Sequence, residues 1–263
     1  MRPMNEDEHE ETVRRSFEQQ KGLFTGDDAL FAPRDPAPVT WVGPLDRNMI
    51  VLDVACGAAH AAEQVAPFVR QVVAVDITPA LLELASERLG EAGIDNVLLQ
   101  EGNASALPFL DRSFDLVICR SALHHFPRPE EPVAEMARLC KPGGRVAVSD
   151  MVAPKANVRD EFDELHRRVD PSHARCLLAD ELADLLRSRV GPVSKVDEPA
   201  RFTLPVDLML TDAADRGGVM AALKAELAGG STTGFDPVDD GARILVSFTT
   251  TVVHAGRRPD AGG

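Results

Sequence analysis

The chain has 263 residues and a formal net charge of −14, from 28 Lys and Arg against 42 Asp and Glu. Because phosphate binding relies on clustered Lys and Arg, this balance argues against DNA or RNA as a partner. Apolar residues make up 44% of the chain and no apolar run is long enough to cross a bilayer, so we expect a soluble protein without membrane insertion. The acidic N-terminus has none of the features of a signal peptide, which predicts a cytoplasmic location.

The cysteines show no CxxC spacing that would indicate a metal site. Free thiols are the default state in a cytoplasmic chain. We therefore predict neither a disulfide nor a metal site. The cysteines are Cys56, Cys119, Cys140 and Cys176.

The first part of the chain contains one helical pattern. Apolar residues at helical spacing predict a helix over residues 11–24, and a Pro-rich stretch predicts a loop from Ala32 to Pro44. The first ten residues offer no apolar groups to bury, and we expect them to form a mobile, solvated tail.

From Met49 onward, short apolar runs alternate with helical patterns. Helices are predicted from about Ala59, over PALLELASERLG and over residues 130–140. Strands are predicted in MIVLDVA, QVVAVDI, NVLLQEG, FDLVICR and RVAVSD. Continuous apolar strands separated by helices indicate a doubly wound, parallel sheet that is covered on both faces.

Beyond Asp150 the pattern is looser. Helices are predicted over residues 158–168, 178–189 and 206–228, and strands in VSKVDE and ARILVSFTTTVV. The last run is long and rich in β-branched residues, which favours a strand that pairs antiparallel to VSKVDE at one edge of the sheet. The tail AGRRPDAGG has little to bury and is expected to be mobile.

Polar and small residues follow the predicted strands, where ligands bind in an open α/β sheet. Gly57 lets the backbone approach a ligand closely. Asp76 ends the second strand, 23 residues after Asp53, where a carboxylate can accept hydrogen bonds from both hydroxyls of a ribose. A lone aspartate at a strand end also commonly caps the next helix, so Asp76 has a structural alternative. Other residues expected at this edge are Gly102, Asn103, Ala104, Cys119, Arg120, Ser121 and Asp150.

Five segments carry a family pattern: VLDVACGAAHAA, VVAVD, EGNASALPFLDRSFDLV, SALHHFPRP and LCKPGGRVAVSD. In this order and spacing they resemble the class I S-adenosylmethionine (SAM)-dependent methyltransferases. The resemblance covers about residues 49 to 150 and favours the branch that includes ubiquinone and menaquinone C-methyltransferases. SFEQQKGLF is similar to the helix that opens this branch and partly covers the cofactor.

The resemblance implies a Rossmann-like, doubly wound sheet, mostly parallel, with an antiparallel C-terminal edge strand and a helical lid. Residues 1–44 would form an N-terminal helix and lid loop, and residues 45–152 the SAM-binding core. Residues 153–255 would supply acceptor-pocket helices and the C-terminal strands of the same domain, followed by a mobile tail at 256–263.

The same resemblance assigns roles to residues at the strand ends, with SAM as cofactor. Asp53 and Gly57 would hold the methionine end, Asp76 the ribose, and Asn103 the adenine edge, together with the next backbone N–H. Arg120 would lie beside the sulfonium, although it could instead bind an acceptor carboxylate or pair with an acid. The expected cofactor-binding residues are Phe24, Asp53, Ala55, Gly57, Asp76, Ile77, Asn103, Ala104 and Arg120.

The sequence departs from the family pattern at three positions. Asn103 replaces the usual Asp, but its amide oxygen can still accept from the adenine amino group. Ala55 and Ala59 replace two glycines of the G-x-G-x-G loop, where each methyl narrows the cofactor space and alanine resists positive φ. Altered cofactor binding is the expected consequence.

Three histidines are candidate general bases for a phenol or an acidic carbon. His124 and His125 are adjacent, so at most one is expected to reach an acceptor, and structural packing is an equal alternative for the pair. His173 follows the fifth strand, in the segment where this family usually builds its acceptor pocket, although a solvated loop histidine is the commoner case.

The predicted function is methyl transfer from SAM to a small organic acceptor, on oxygen, carbon or nitrogen. Leu, Val, Met and Phe in residues 153–235 favour an apolar acceptor such as a quinone, lipid or polyketide-like metabolite. One alternative is an enzyme of the same fold that catalyses cyclisation, dehydration or a pericyclic step. A nicotinamide-dependent oxidoreductase and a non-catalytic binding protein are further alternatives, and a homodimer stays open.

Overall fold

The protein is described by a computed structural model that covers residues 6–24 and 39–258. The helices in these ranges are α1 (Glu6–Gln19), α2 (His60–Val65), α3 (Pro79–Glu91), α4 (Glu130–Leu139), α5 (Arg159–Val169), α6 (Ala179–Arg189) and α7 (Arg216–Leu227). The strands are β1 (Ile50–Val54), β2 (Gln71–Asp76), β3 (Val97–Glu101), β4 (Phe114–Arg120), β5 (Cys140–Val152), β6 (Val193–Val196), β7 (Ala200–Pro205), β8 (Val238–Asp239) and β9 (Ile244–Gly256).

The strands form one mixed sheet in the order β3-β2-β1-β4-β5-β9-β6. Strands β1 to β5 are parallel, and β9 pairs antiparallel with β5, with Val148 opposite Val253. The predicted doubly wound α/β fold is confirmed, and so is the antiparallel pairing of the last long strand with VSKVDE. However, β9 is not an edge strand, because its 13 residues are long enough to pair with β5 on one side and with β6 and β7 in succession on the other.

The predicted helix over residues 206–228 is wrong in its first half. Strand β7 precedes a single helical turn at Val206–Leu208, and α7 begins only at Arg216. Phe202 and Leu204 alternate with polar residues, and this period-two pattern suits a strand on β9. Asp215 sets the start of α7, since its carboxylate accepts a hydrogen bond from the N–H of Gly218 at 2.9 Å.

The predicted mobile N-terminal tail is also corrected, because α1 already begins at Glu6. His9 is buried, and its Nε2 contacts the carbonyl oxygen of His125 at 2.6 Å. Most of the predicted loop from Ala32 to Pro44 lies outside the described residues, as does the end of the predicted C-terminal tail. Ala255 and Gly256, the first two residues of the segment AGRRPDAGG, still belong to β9.

Three buried clusters hold the layers together. One face of the sheet packs against α4 and α6 through side chains such as Met136 and Leu186, and the other packs against α2 and α3. The third cluster joins α5 and α7 to β7 and β9 and includes the fully buried Phe162. Burying a side chain of this size contributes roughly 1.5–3 kcal/mol. The third cluster therefore fixes α5 and α7 over one end of the sheet.

Candidate active site

A cavity of about 570 Å³ lies beyond the carboxyl ends of the parallel strands. It is bordered by the loops after β1 to β4, by α1, and by residues of α5, β7 and β9. All nine residues expected to bind the cofactor line it: Phe24, Asp53, Ala55, Gly57, Asp76, Ile77, Asn103, Ala104 and Arg120. The structure thus places all nine predicted residues around one cavity, and their individual roles remain predictions.

Asp76 connects the end of β2 to the loop after β1. One carboxylate oxygen, Oδ2, accepts a hydrogen bond from the N–H of Gly57 at 2.7 Å, and Oδ1 accepts one from the N–H of Thr78 at 2.9 Å. Burial raises the pKa of Asp76 above its ordinary value. The hydrogen bond from Thr78 engages Oδ1 only. Through Oδ2 and Gly57, the carboxylate also positions the loop that borders the cavity.

The loop after β1 keeps a left-handed backbone despite its alanines. The φ angles are +54° at Ala55, +55° at Gly57 and +58° at Ala59. Left-handed backbone costs an alanine roughly 1–2 kcal/mol, whereas glycine adopts it freely. Two hydrogen bonds hold the loop in this conformation against the cost. The N–H of Gly57 donates to Asp76, and the N–H of Cys56 donates to the carbonyl oxygen of Val75 at 2.9 Å.

Asp53 and Arg120 are the charged groups beside this loop. Asp53 is buried, and desolvation raises its pKa to about 7, although its hydrogen bond from the N–H of Ala62 and the nearby charge of Arg120 oppose the shift. Within residues 6–24 and 39–258, the guanidinium of Arg120 has no hydrogen-bond or ion-pair partner. An unpaired cation beside a cavity can bind an anionic group of a ligand.

Both ends of the Asn103 amide already have a partner within the chain. Its Oδ1 accepts a hydrogen bond from the N–H of Ser105 at 2.8 Å, and its Nδ2 donates to Oε1 of Glu10 at 2.5 Å. The amide oxygen expected to meet adenine thus accepts one hydrogen bond from the chain itself and keeps one lone pair. Glu10, one of the residues predicted to form a mobile tail, lines the cavity instead.

The histidine pair after β4 borders the same cavity. His124 Nδ1 lies 2.6 Å from Oδ1 of Asp150, and both side chains are buried. His125 Nδ1 lies 3.0 Å from Oγ of Ser172, and burial together with the neighbouring His124 lowers the pKa of His125 to about 4. Contrary to the expectation for adjacent helical residues, both rings line the cavity, because they lie in a single 3₁₀ turn with centroids 4.2 Å apart.

The prediction of His173 as a candidate base is corrected, because its side chain does not line the cavity. Its side chain is completely buried, and Nε2 pairs with Oδ1 of Asp163 at 2.8 Å. The ring stacks on His166, with centroids 4.1 Å apart, and burial lowers the pKa of His173 to about 2. His166 borders the cavity in its place. Its position on the buried face of α5, four residues after Phe162, was the signal that could have identified it.

Cysteine chemistry plays no visible part in the site. All four cysteines are free thiols, as predicted. Cys56 lines the cavity, but burial holds the pKa of its thiol well above the ordinary value. Asp163, His173 and Cys176 bring one ligand atom each within 4.8 Å of one another, but hydrogen bonds of His173 and of the Cys176 N–H to Asp163 already explain this arrangement.

The remaining part of the cavity is apolar. Phe202 and Phe248 lie on β7 and β9 with ring centroids 5.7 Å apart and an angle of 30° between the ring planes. Their side chains face the same space as His166. The apolar residues that line this part are Met151, Val169, Phe202, Leu204, Met209 and Phe248. One cavity therefore combines a polar region at the strand ends with an apolar region under α5.

A doubly wound sheet whose second strand ends in an aspartate bonded to a tight loop after the first strand is the architecture of the class I SAM-dependent methyltransferases. The chain belongs to this family: the family model of a methyltransferase domain matches residues 45–193, more than half of the chain. Over the ranges 6–24 and 39–258, no helix has the length and apolarity that crossing a membrane would require.

Relatives agree with this assignment. The chain is 44% identical over 126 residues to the uncharacterised methyltransferase YcgJ of Bacillus subtilis, covering 48% of this chain and 50% of that one. It is 39% identical over 108 residues to a demethylmenaquinone methyltransferase of Listeria welshimeri, covering 40% and 45% of the two chains. The solved structure of BH2331 from Bacillus halodurans C-125 has a TM-score of 0.76 at 27% identity, covering 86% of this chain and 100% of that one. The chain spans about half the length of the curated relatives it matches.

Proposed function

We propose that this protein transfers the methyl group of SAM to a small, apolar organic acceptor. The observation that carries the proposal is the continuous cavity of about 570 Å³, with charged groups at the strand ends and apolar side chains under α5. A volume of this size is typical of small-molecule sites, which lie within roughly 300–1,000 Å³. A cofactor and an acceptor bound in the two regions would meet inside the protein, away from water.

The residues at the strand ends fit the chemical groups of SAM. The carboxylate of Asp76 suits two ribose hydroxyls, and Asp53 suits the ammonium group of the methionine end. Arg120, which has no hydrogen-bond or ion-pair partner within residues 6–24 and 39–258, suits a carboxylate. When bound, SAM supplies an electrophilic methyl group on a positively charged sulfur. The protein mainly has to orient the acceptor and exclude water.

His124 is the general base in this proposal. Its Nδ1 pairs with the carboxylate of Asp150, so a neutral ring carries its proton on Nδ1 and leaves Nε2 as the basic nitrogen. The proton of a phenol or of an acidic carbon would move to Nε2 as the acceptor attacks the methyl group. His125 suits this role less, because a pKa of about 4 makes it a weak base at neutral pH.

Calorimetric titration with S-adenosylhomocysteine, with NAD as control, tests the cofactor. Micromolar binding of the former alone supports the proposal, and binding of neither removes it. Phenols and reduced quinones can then be screened as acceptors in the presence of SAM. A product that forms without methyl transfer would favour a non-methylating enzyme.

The base is tested with His124→Gln and Asp150→Asn. Both variants should lower the rate of methyl transfer to a phenolic acceptor. The loss should be on the order of 10²-fold or more for His124→Gln, which is the size of a general-base contribution, and smaller for Asp150→Asn. Both should keep the affinity of the parent protein for S-adenosylhomocysteine. A His124→Gln variant with undiminished transfer would exclude His124 as the base.

A further inference from the structure

We propose that Glu10 of the N-terminal helix accepts the hydrogen bond from the 6-amino group of the cofactor's adenine, the role that the family resemblance gives to position 103. This inference rests on the proposed function, since it requires the adenosyl group to occupy the polar part of the cavity. It assigns recognition of the base to a residue 93 positions before Asn103, on the N-terminal helix.

The contacts of Asn103 define the orientation of its side-chain amide. The backbone N–H of Ser105 can only donate, so the atom of Asn103 that faces it at 2.8 Å is the oxygen. The amide nitrogen consequently points to Glu10 and donates to Oε1 at 2.5 Å. A side chain held in this way offers N–H groups to the adenine edge. The 6-amino group of adenine is itself a donor and needs an acceptor. Oδ1 of Asn103 keeps one lone pair beside its contact with Ser105, but the charged carboxylate of Glu10 is the stronger acceptor at this place.

Glu10 is the acceptor available at that place. Its side chain lines the cavity next to Asn103. A carboxylate carries two oxygens and accepts on both of them. Oε1 receives the Asn103 amide, and Oε2 has no hydrogen-bond partner within residues 6–24 and 39–258. The second amide hydrogen of Asn103 is suited to a ring nitrogen of the base, so the two side chains together complement a donor and an acceptor of adenine.

Helix α1 is anchored firmly enough to make Glu10 part of the site. His9 contacts the carbonyl oxygen of His125 at 2.6 Å, and the hydroxyl of Ser16 donates to Oδ1 of Asp170 at 2.8 Å. Arg14 lies 3.5 Å from Glu101 at the end of β3. These contacts hold α1 across the strand ends and thereby fix the position of Glu10 beside Asn103.

The proposal makes the site selective for a 6-amino purine. S-inosylhomocysteine carries a carbonyl oxygen at this position, which would face the oxygens of Glu10 and be repelled. Glu10→Gln replaces one of these oxygens with an amide nitrogen that can donate to the carbonyl. Glu11→Gln is the matched control, because it removes the same charge from an exposed position one residue further along α1.

The experiment is calorimetric titration of the full chain and both variants with S-adenosylhomocysteine and with S-inosylhomocysteine. The parent protein should bind the adenosyl compound at least about tenfold more tightly, the equivalent of one hydrogen bond to a charged group. Glu10→Gln should lose about tenfold in affinity for the adenosyl compound and most of the preference between the two, while Glu11→Gln should match the parent. Thermal unfolding of each variant checks that the fold is retained, and Glu10→Asp, which keeps the carboxylate, should retain the preference.

The outcomes separate the two proposals. If the parent binds S-adenosylhomocysteine and Glu10→Gln keeps the parent's preference, the role of Glu10 is overturned and the proposed function stands. If the parent binds neither compound, the proposed function fails and the inference fails with it. Equal affinity of the parent for both compounds would also overturn the role of Glu10.

Discussion

The affinity of the protein for S-adenosylhomocysteine should depend on pH through Asp53. Burial raises the pKa of this carboxyl to about 7. Only the ionised form can pair with the ammonium group of the cofactor, so binding below pH 7 must first remove a proton. About one tenth of Asp53 is ionised at pH 6 and about nine tenths at pH 8, which makes binding roughly eightfold to tenfold weaker at pH 6.

Calorimetric titrations at pH 6, 7 and 8 measure this effect directly. In two buffers of different ionisation enthalpy at pH 6, the difference in heat should correspond to release of close to one proton per cofactor bound. Asp53→Asn is the control, because the amide oxygen can still accept from the N–H of Ala62 while the titrating charge is lost. This variant should bind more weakly and with the same affinity at pH 6 and pH 8. Equal affinities of the parent protein at these two pH values would refute the reasoning, as would an unchanged pH dependence in the variant.

Further predictions concern the ribose contact and the buried histidines. Asp76→Ala should lower the affinity for S-adenosylhomocysteine by roughly 100-fold, since two charge-assisted hydrogen bonds contribute about 3 kcal/mol, and unchanged affinity in calorimetry would remove Asp76 from the site. The lowered pKa values of His125 and His173 contribute stability that is present above pH 6.5 and is lost as the pH falls towards about 4 and about 2. Each should remove about 2 kcal/mol from the free energy of unfolding between pH 7 and pH 5, as measured by urea titration. The measurement should use the Asp53→Asn variant, because the raised pKa of Asp53 contributes to stability with the opposite sign: this contribution is present at low pH and is lost as the pH rises through about 7. A free energy of unfolding that is the same at pH 7 and pH 5 would contradict the prediction.

The sequence by itself determined the parallel core and the composition of its polar edge. Apolar runs of strand length separated by helices allow a doubly wound sheet, and such a sheet places every strand end of one direction at the same edge. Asp53, Asp76, Asn103 and Arg120 therefore meet around one cavity, as predicted from their positions at or just beyond the ends of β1, β2, β3 and β4. The reason is that strand direction and side-chain periodicity are properties of short, contiguous segments.

The tertiary structure alone decided which histidine faces the cavity and what α1 does. His166 and His173 are separated by a short stretch of chain, yet the packing of α5 on β9 exposes the first to the cavity and buries the second against Asp163. The first turns of α1 look like a solvated tail in the sequence, because the partners of these residues lie far along the chain: His9 contacts a residue 116 positions away, and Glu10 one 93 positions away. Contacts over such separations depend on how whole layers pack together, and local sequence patterns carry no information about that packing.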